Sequence, residues 1–355
     1  MFQNLQVKAD TNAIVFETHN VEPSIVSAIR RTIITDIPVV GFRGEEHPSM
    51  EVLKNDGPLH NEILLHRVGL IPIHFTEEEV ESFGADEYEF ELNVNNTSQG
   101  MLNVTTKDMK ILRNGKELSS KESLRLFPVN PISKQHILIT RLRKGESLHM
   151  KGKAVLDTAR SHAGFSPGFC TAFPMMDPVL SVNATNILDK ERAYSRNEHG
   201  DATTFEVTIE SECGLKPKYL VLKAIEILKG KLNQFMQEMY QDLSEKVVIR
   251  EWTMDDDKTG YTFEVKDEDD TLGYLIQSHM HHNYVRMKKQ TENGKNINYV
   301  GYVCPHPLES VMHLRVIFAE PAQKTEYVEA VAEQCRRIVA DLQTIEADWL
   351  RFHTQ

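Results

Sequence analysis

The sequence is poor in cysteine. Its four cysteines, Cys170, Cys213, Cys304 and Cys335, lie far apart, and no two form a Cys-x-x-Cys pair. This spacing argues against a disulfide framework and a zinc ribbon, and it is typical of proteins in a reducing compartment. Apolar runs of about 18 residues are also missing, so no membrane-spanning helix is expected. The opening MFQNLQVKAD lacks the basic and apolar regions of a signal peptide.

Basic residues are outnumbered by acidic ones. The chain of 355 residues has 40 Lys and Arg against 52 Asp and Glu, a formal net charge of −12. Proteins that bind nucleic acid extensively usually carry clustered Lys and Arg. We therefore expect little direct contact with nucleic acid and mainly protein partners.

Patterns of catalysis and metal binding are weak as well. The phosphate-loop spacing G-x-x-x-x-G-K-[ST] is absent, and we expect no nucleophilic serine or cysteine site. His279, His281 and His282 could be metal ligands, but helix positions i, i+2 and i+3 do not converge on one ion. The sequence thus predicts a non-catalytic protein without metal or other cofactor.

What the sequence does contain is an internal repeat. Residues 262–318 predict a strand, an acidic turn, an amphipathic helix, a Gly-Tyr turn, a His-Pro dipeptide and an alternating strand. A looser copy opens the chain. The equivalent positions are Phe16 and Phe263, Ser24 and Thr271, Ile25 and Leu272, Ile29 and Ile276, Ile33 and Met280, Gly41-Phe42 and Gly301-Tyr302, and His47-Pro48 and His306-Pro307.

Each copy is completed by a long helix with an apolar seam of 4-3-4-3-4 spacing. The seams are Val221, Ile225, Leu228, Leu232, Phe235 and Met239, and Val331, Cys335, Ile338, Leu342, Ile345 and Trp349. In the first copy this helix is delayed by a β-rich region, with strands expected near 88–94, 102–104 and 137–139, and by an aromatic, irregular segment from 160 to 201. Chance similarity of short amphipathic segments is the alternative to duplication.

These patterns predict an α+β chain of two related units that pair as a pseudo-twofold dimer within one polypeptide. The first unit comprises residues 1–42 and 203–243, and a β-rich inserted domain occupies 43–202. A linker at 244–260 leads to the second unit at 261–355.

The motifs also carry a family resemblance. DEDDTLGYLI and GYVCPHPLESVMHLRV closely resemble the eleventh subunit of eukaryotic RNA polymerase II, although Asp270 and Tyr274 stand where that family usually has His and Asn. SIVSAIRRTIITDIP, LHNEILLHRVGLIPI, ITRLRKGESLHMKGKA, SHAGFSP and FEVTIES resemble its partner, the third subunit. Both families are similar to the N-terminal domain of the bacterial polymerase alpha subunit, which works as a dimer.

The resemblance implies an architectural role in a DNA-directed RNA polymerase. Its implied partners are the two largest, catalytic subunits and small zinc-binding subunits of the tenth- and twelfth-subunit type. Third subunits often carry a cysteine-rich zinc loop, but this chain has no cysteine before Cys170, so no zinc is expected. Fusion of the two subunits is similar to polymerases of large DNA viruses of eukaryotes, which implies transcription in the virion and the infected-cell cytoplasm, with the nucleus as alternative.

Two sets of site residues follow from the resemblance. The intramolecular dimer interface is expected to contain Ile25, Ile29, Ile33, Val221, Ile225, Leu228, Leu232, Leu272, Leu275, Ile276, Met280, Val331, Ile338 and Leu342. Docking of the large subunits is expected at Arg30, Arg31, His66, Arg67, His162 and Phe165. The alternatives are an ordinary intradomain core for the first set, and for the second set solvated charge or, in the aromatic loop, self-packing. The functional alternative is a free-standing scaffold or transcription regulator that no longer joins a polymerase.

Overall fold

The computed structural model describes residues 1–44, 47–241, 243–253, 259–306 and 308–352. The strands, in chain order, are β1 (Phe2–Lys8), β2 (Ala13–His19), β3 (Val39–Gly41), β4 (Met50–Asn55), β5 (Tyr88–Asn95), β6 (Leu102–Thr105), β7 (Met109–Arg113), β8 (Lys116–Glu117), β9 (Leu138–Leu142), β10 (Ser147–Gly152), β11 (Val155–Asp157), β12 (Gly168–Pro174), β13 (Thr204–Ser211), β14 (Val247–Thr253), β15 (Thr259–Lys266), β16 (Ile297–Val303) and β17 (Val311–Phe318).

The helices are α1 (Pro23–Thr35), α2 (Asn61–Gly69), α3 (Glu77–Glu81), α4 (Ser120–Leu126), α5 (Pro178–Asn183), α6 (Ile187–Glu191), α7 (Pro217–Met239), α8 (Asp270–Met280) and α9 (Lys324–Phe352). A π-helical turn, His281–Arg286, extends α8. No helix in the described part of the chain is both long enough and apolar enough to cross a membrane.

The two predicted units are present and share one topology. In each, a hairpin leads into a helix, two further strands complete a four-stranded antiparallel sheet, and a long helix follows. The first sheet has the order β1-β2-β13-β12 and the second β14-β15-β17-β16. Phe16 lies opposite Val207 in the first, as Phe263 lies opposite Leu314 in the second. The fold is therefore α+β with an internal duplication.

The first part of the predicted superposition fits this topology, but its later part is wrong. Gly41 lies in β3 and pairs with Val155 of β11, whereas Gly301 lies in β16 and pairs with Arg315 of β17. The true counterpart of β16 is β12. The two dipeptides lie in or beside strands of different sheets, so their similar spacing in the sequence does not reflect equivalent positions in the fold. Pro307, the last member of the proposed match, lies outside the described residues.

The sequence predicted an irregular segment from 160 to 201, but part of this segment has regular structure. Residues 168–174 form β12, which pairs along its whole length with β13. This strand is hard to recognise from the sequence because it begins with Gly168 and ends with Pro174, which are typical of loops. A Cβ on Gly168 would lie only 2.0 Å from the carbonyl oxygen of Glu210, so only glycine allows this close approach.

The first unit is consequently interrupted at two places. The larger interruption lies between α1 and β12, and the smaller between β12 and β13. The single predicted insert, 43–202, therefore includes one strand that hydrogen-bonds within the first unit. Similarly, the predicted linker, 244–260, includes β14, the edge strand of the second sheet.

The larger interruption adds a β-rich part to the hydrophobic core, whose buried residues form one cluster with those of both units. Its five-stranded sheet has the order β4-β10-β5-β7-β8, beside a two-stranded ribbon of β6 and β9. Phe90 of β5 contacts Phe42 edge-on at 4.9 Å between ring centroids. In α2, Leu64 and Val68 are buried, whereas Ile63 is exposed. A helix of nine residues buries only a narrow stripe, so the third apolar side chain points outwards.

Candidate assembly interface

Four helices form the junction between the two units. Helix α1 contacts α7 and α8, and α9 contacts α7 and α8. Helix α1 begins at Pro23, which has no N–H to leave unpaired, and ends at Asp36 before Pro38. The arrangement brings the short and long helices of both units into one layer, as a pseudo-dimer requires.

The predicted interface residues are all at least partly buried in this layer. Ile29 is half-buried, and the fully buried members are Ile25, Ile33, Val221, Ile225, Leu228, Leu232, Leu272, Leu275, Ile276, Met280, Val331, Ile338 and Leu342. Ile29, Ile33 and Val221 line a small apolar cavity of about 30 Å³ together with Ile345 of α9. The first unit and the last helix thus meet at this cavity. For the other residues, the side of the interface they pack against stays a prediction.

Trp349 of α9 anchors the second unit in the first. Its side chain is 0 % exposed, and its ring centroid lies 4.9 Å from that of Phe2 and 4.7 Å from that of Phe16. The indole Nε1 donates a hydrogen bond of 3.2 Å to the backbone carbonyl of Lys218 at the start of α7. The sequence placed Trp349 in a helix seam, but it gave no indication of these partners.

A charge cluster joins three parts of the chain. Asp36, at the end of α1, is buried and accepts from Arg160 Nε at 2.6 Å and from Lys231 Nζ at 2.8 Å. Arg160 also bonds Asp269 at 3.0 Å, and Lys231 bonds Glu268 at 3.1 Å. Asp269 and Glu268 belong to the second unit, whereas Arg160 belongs to the larger interruption. The cluster is complete only when all three parts are in place.

The two most buried carboxylates of the cluster differ in their proton affinity. Burial by itself raises the pKa of Asp36, but the hydrogen bond from Arg160 and the charge of Lys231 outweigh burial and lower it. For Glu268, burial dominates and raises the pKa in spite of Lys231. Asp36 is therefore the firmly ionised member, and Glu268 holds its charge at a cost.

Arg31, one of the predicted docking residues, makes polar contacts within the chain. Its Nε donates a 3.0 Å hydrogen bond to Thr271 Oγ1, and its guanidinium lies 3.8 Å from Asp270. Thr271 and Asp270 open helix α8 of the second unit. Arg31 lies off the apolar stripe of α1 and has polar partners. The spacing of apolar residues alone therefore could not predict these contacts.

Two other predicted docking residues also have internal roles. Arg67 donates hydrogen bonds to the carbonyls of Leu138 and Ile139 in β9, at 2.8 and 3.0 Å. Phe165 is fully buried, and its ring would lie 3.1 Å from a Cβ added to Gly41. Phe165 is therefore a core residue, and it cannot contact a partner directly. The sequence showed an aromatic in a loop without showing the core beneath it.

The remaining docking candidates are placed differently. Arg30 lines the apolar cavity of the junction beside Cys170, and His66 is exposed on α2. The Nδ1 atom of His162 accepts a hydrogen bond of 3.0 Å from the backbone N–H of Gly164. The six residues therefore do not form one continuous surface of the isolated chain.

A buried histidine and a glutamate meet at the far end of the junction. Nε2 of His279 lies 3.1 Å from Oε2 of Glu22, although the contact is not aligned as a hydrogen bond. Burial, assisted by His282, lowers the pKa of His279 to about 4, and burial raises the pKa of Glu22. Both shifts favour uncharged forms, so the pair is best described as a close polar contact.

His282 lies at the mouth of the same region. It contacts the ring of His199 at 5.8 Å between centroids, and Arg286 bonds Asp201 at 2.9 Å. These contacts connect the smaller interruption to the second unit.

In the described residues, no three His, Cys, Asp or Glu side chains are arranged to hold a metal ion.

Residues 164–168 have the sequence Gly-x-Ser-x-Gly, although no nucleophilic serine site was expected. A nucleophilic serine of this kind sits on a strand-to-helix turn. Here a 3-10 turn precedes Ser166 and strand β12 follows it, and its Oγ donates to the carbonyl of Gly168 at 2.9 Å. The surroundings of Ser166 do not match the nucleophile motif.

Comparisons with known proteins agree with the duplicated fold. A family model described as the RNA polymerase Rpb3/Rpb11 dimerisation domain matches residues 15–232, and a second model of the same description matches residues 260–348. The two matches cover the first unit with its larger interruption and the second unit, respectively.

Several curated proteins are similar to the chain. The DNA-directed RNA polymerase II subunit rpb3 of Dictyostelium discoideum is 24% identical over 300 residues, covering 67% of this chain and 94% of the relative. The human subunit RPAC1 of RNA polymerases I and III is 24% identical over 292 residues, covering 66% and 83%. The archaeal subunit Rpo3 of Thermococcus kodakarensis is 30% identical over 170 residues, covering 47% and 57%. The chain therefore belongs to the RNA polymerase Rpb3/Rpb11 dimerisation domain family.

Proposed function

We propose that this protein is a non-catalytic assembly subunit of a multisubunit DNA-directed RNA polymerase. The observation that carries the proposal is the presence of two dimerisation domains in one chain, with their four helices packed into one junction. The similar proteins are themselves named as polymerase subunits. The chain would supply both halves of the dimer that separate subunits supply elsewhere.

In this role the junction forms a platform for the two largest subunits. Joining the halves covalently makes their association intramolecular, with an effective concentration in the millimolar range. Residues 240–246 connect α7 to β14, so the second unit cannot diffuse far from the first. The Asp36 cluster then fixes the larger interruption relative to both units. Small subunits of the tenth- and twelfth-subunit type would complete the assembly.

The biological setting belongs to the same proposal. The fused arrangement supports a polymerase of a large DNA virus of eukaryotes, acting in the virion and the infected-cell cytoplasm, with the nucleus as alternative. The net charge of −12 supports a position away from the nucleic acid. The chain would act without zinc or another cofactor of its own.

Affinity purification of the tagged full chain from the cells that naturally express it tests the proposal. We expect two very large chains and RNA-synthesising activity to co-purify at constant stoichiometry through gel filtration. Mass spectrometry identifies the chains. Recovery of the protein alone, without transcription activity, would overturn the proposal in favour of a free-standing scaffold or regulator.

A further inference from the structure

The smaller interruption of the first unit contains two helices without a core. Neither α5 nor α6 has a single buried residue. Nevertheless the segment 173–188, which comprises the last two residues of β12, helix α5 and the start of α6 and is named here the apolar insertion, is rich in large apolar side chains. Those exposed are Phe173, Met176, Val179, Leu180, Val182, Ile187 and Leu188.

The exposed area is large for a surface segment. The seven side chains are between 45% and 83% exposed. With about 100 Å² for each aliphatic or Met side chain and about 200 Å² for Phe173, their exposed areas add up to roughly 500 Å². The largest apolar patch of a typical monomer is about 300–600 Å², and one side of a standard protein interface buries about 800 Å². The summed exposure of the apolar insertion is therefore more than half of the area that one side of a stable interface buries.

The local structure is organised although it is uncovered. Asp177 caps α5 by accepting from the N–H groups of Val179 and Leu180, at 2.8 and 3.0 Å. Met176 forms a β-bridge with Tyr194, and α5 contacts α6. Helices of six and five residues are marginal in water on their own. Caps and a bridge give the segment a definite shape, but burial of its apolar side has to come from elsewhere.

The second unit shows that the fold does not require this segment. Its equivalent connection, between β16 and β17, has seven residues, at 304–310, whereas the connection between β12 and β13 has 29, at 175–203. The extra length does not extend the sheet, and it adds only Ala193 to the buried apolar core. It is an addition to one half of the pseudo-dimer and breaks its symmetry.

The charges of the segment favour a protein partner. Residues 173–192 contain three acidic and two basic side chains, namely Asp177, Asp189, Glu191, Lys190 and Arg192. A slightly acidic segment of this kind has no attraction for nucleic acid or for anionic lipid headgroups. An apolar face of another protein is the complementary surface.

We propose that the apolar insertion is a docking surface for an apolar face of another subunit of the same transcription complex. This inference rests on the proposed function and deepens it by assigning one contact surface. Binding covers the exposed side chains of α5 and α6, and it orients the complex because only the first unit carries the surface.

The test compares two double variants of the full chain in the native complex. Val182→Asp with Ile187→Asp places two charges on the apolar insertion. The control, Ile132→Asp with Leu243→Asp, places the same charges on two other exposed apolar side chains. We expect both variants to melt within a few degrees of the parent. We expect the first to recover at least tenfold less of one large partner, and the control to recover parental amounts.

Each other outcome has a definite meaning. A parent chain that recovers no polymerase overturns the proposed function itself. A parent that recovers polymerase, with parental recovery by the Val182 and Ile187 variant, overturns only the docking surface. Loss of a concentration-dependent dimer by that variant, with polymerase recovery unchanged, assigns the surface to a second copy and also overturns the proposal.

A second measurement tests the proposal even if the Val182 and Ile187 variant fails to fold. A photoreactive benzophenone side chain at Val182, in the assembled complex, should crosslink to a single partner subunit, and the same group at Ile132 should not crosslink to that subunit. Crosslinks at Val182 only within the chain, or to a second copy of it, would overturn the proposal.

Discussion

Removal of the Trp349 side chain should open the junction between the units. The ring is 0 % exposed and lies against Phe2 and Phe16 of the first unit. Replacing a buried Trp with Ala typically costs about 3–5 kcal/mol, and the lost hydrogen bond to the Lys218 carbonyl contributes about 1 kcal/mol of that range. We expect Trp349→Ala to destabilise the fold by about 4 kcal/mol and Trp349→Phe, which keeps most of the ring area, by about 1–2 kcal/mol.

The measurement is urea unfolding followed by circular dichroism. The chain has two tryptophans, so the fluorescence of a Trp252→Phe parent reports on Trp349 alone and shows where the junction opens. A chain with two units need not unfold in one step. The fluorescence of the Trp252→Phe parent therefore identifies which circular dichroism transition belongs to the junction, and the midpoint of that circular dichroism transition is compared between the parent and the variants.

Leu350→Ala is the matched control, because Leu350 is the next residue of α9 and is 52% exposed. A Trp349→Ala shift no larger than that of Leu350→Ala would refute the assignment of Trp349 as an anchor.

Four further predictions concern charge at the junction and packing of helices α7 and α8. Asp36→Asn should cost about 2–4 kcal/mol at pH 7, because it leaves Arg160 and Lys231 with fewer counter-charges. Because the pKa of Asp36 is lowered on folding, its contribution is present above about pH 4 and is lost as the pH falls through the folded value, so the variant should show a flatter acid limb in unfolding experiments. Glu268→Gln should cost less at pH 7, since the raised pKa of Glu268 means that its folding contribution is present below about pH 4 and is lost as the pH rises; an equal or larger loss than for Asp36→Asn would contradict this. The pKa of His279, lowered to about 4, predicts that stability falls by up to about 3 kcal/mol between pH 7 and pH 4 as the unfolded chain binds a proton first; thermal melts of His279→Gln should lack this component, and an unchanged profile would count against it. Finally, Gly273→Ala should destabilise by about 1–3 kcal/mol, because the new Cβ would lie 2.7 Å from the Tyr302 ring and 2.9 Å from Met312, whereas Gly230→Ala, with no neighbour within 4 Å, should stabilise α7 by about 0.5–1 kcal/mol; equal melting temperatures for the two would exclude the proposed crowding.

Periodic features of the fold could be predicted from the sequence. The apolar spacing of α1, α7, α8 and α9 indicated their existence and their paired seams, and the structure confirms the duplicated α+β architecture. Periodicity succeeds here because each of these helices buries one continuous stripe. The expected strands of the β-rich region were recognisable because apolar and polar side chains alternate along a strand with one buried face.

Features that depend on a distant partner could not be predicted. The hydrogen bond from Arg31 to Thr271 could not be foreseen, because Thr271 lies 240 positions away in the chain. The strand β12 was missed because Gly168 and Pro174 at its ends resemble loop residues, while its pairing with β13 is decided across the sheet. The partners of Arg160 likewise come from two different units.

The short connection between α7 and β14 also bears on self-association. Two copies of the chain could in principle exchange their second units and form a domain-swapped dimer. Residues 240–246 can span at most about 25 Å, which keeps the second unit beside its own partner. Exchange would have to compete with that proximity and would need protein concentrations near the millimolar range. At lower concentrations each copy should close on itself, so a swapped dimer should form mainly when protein is refolded at high concentration.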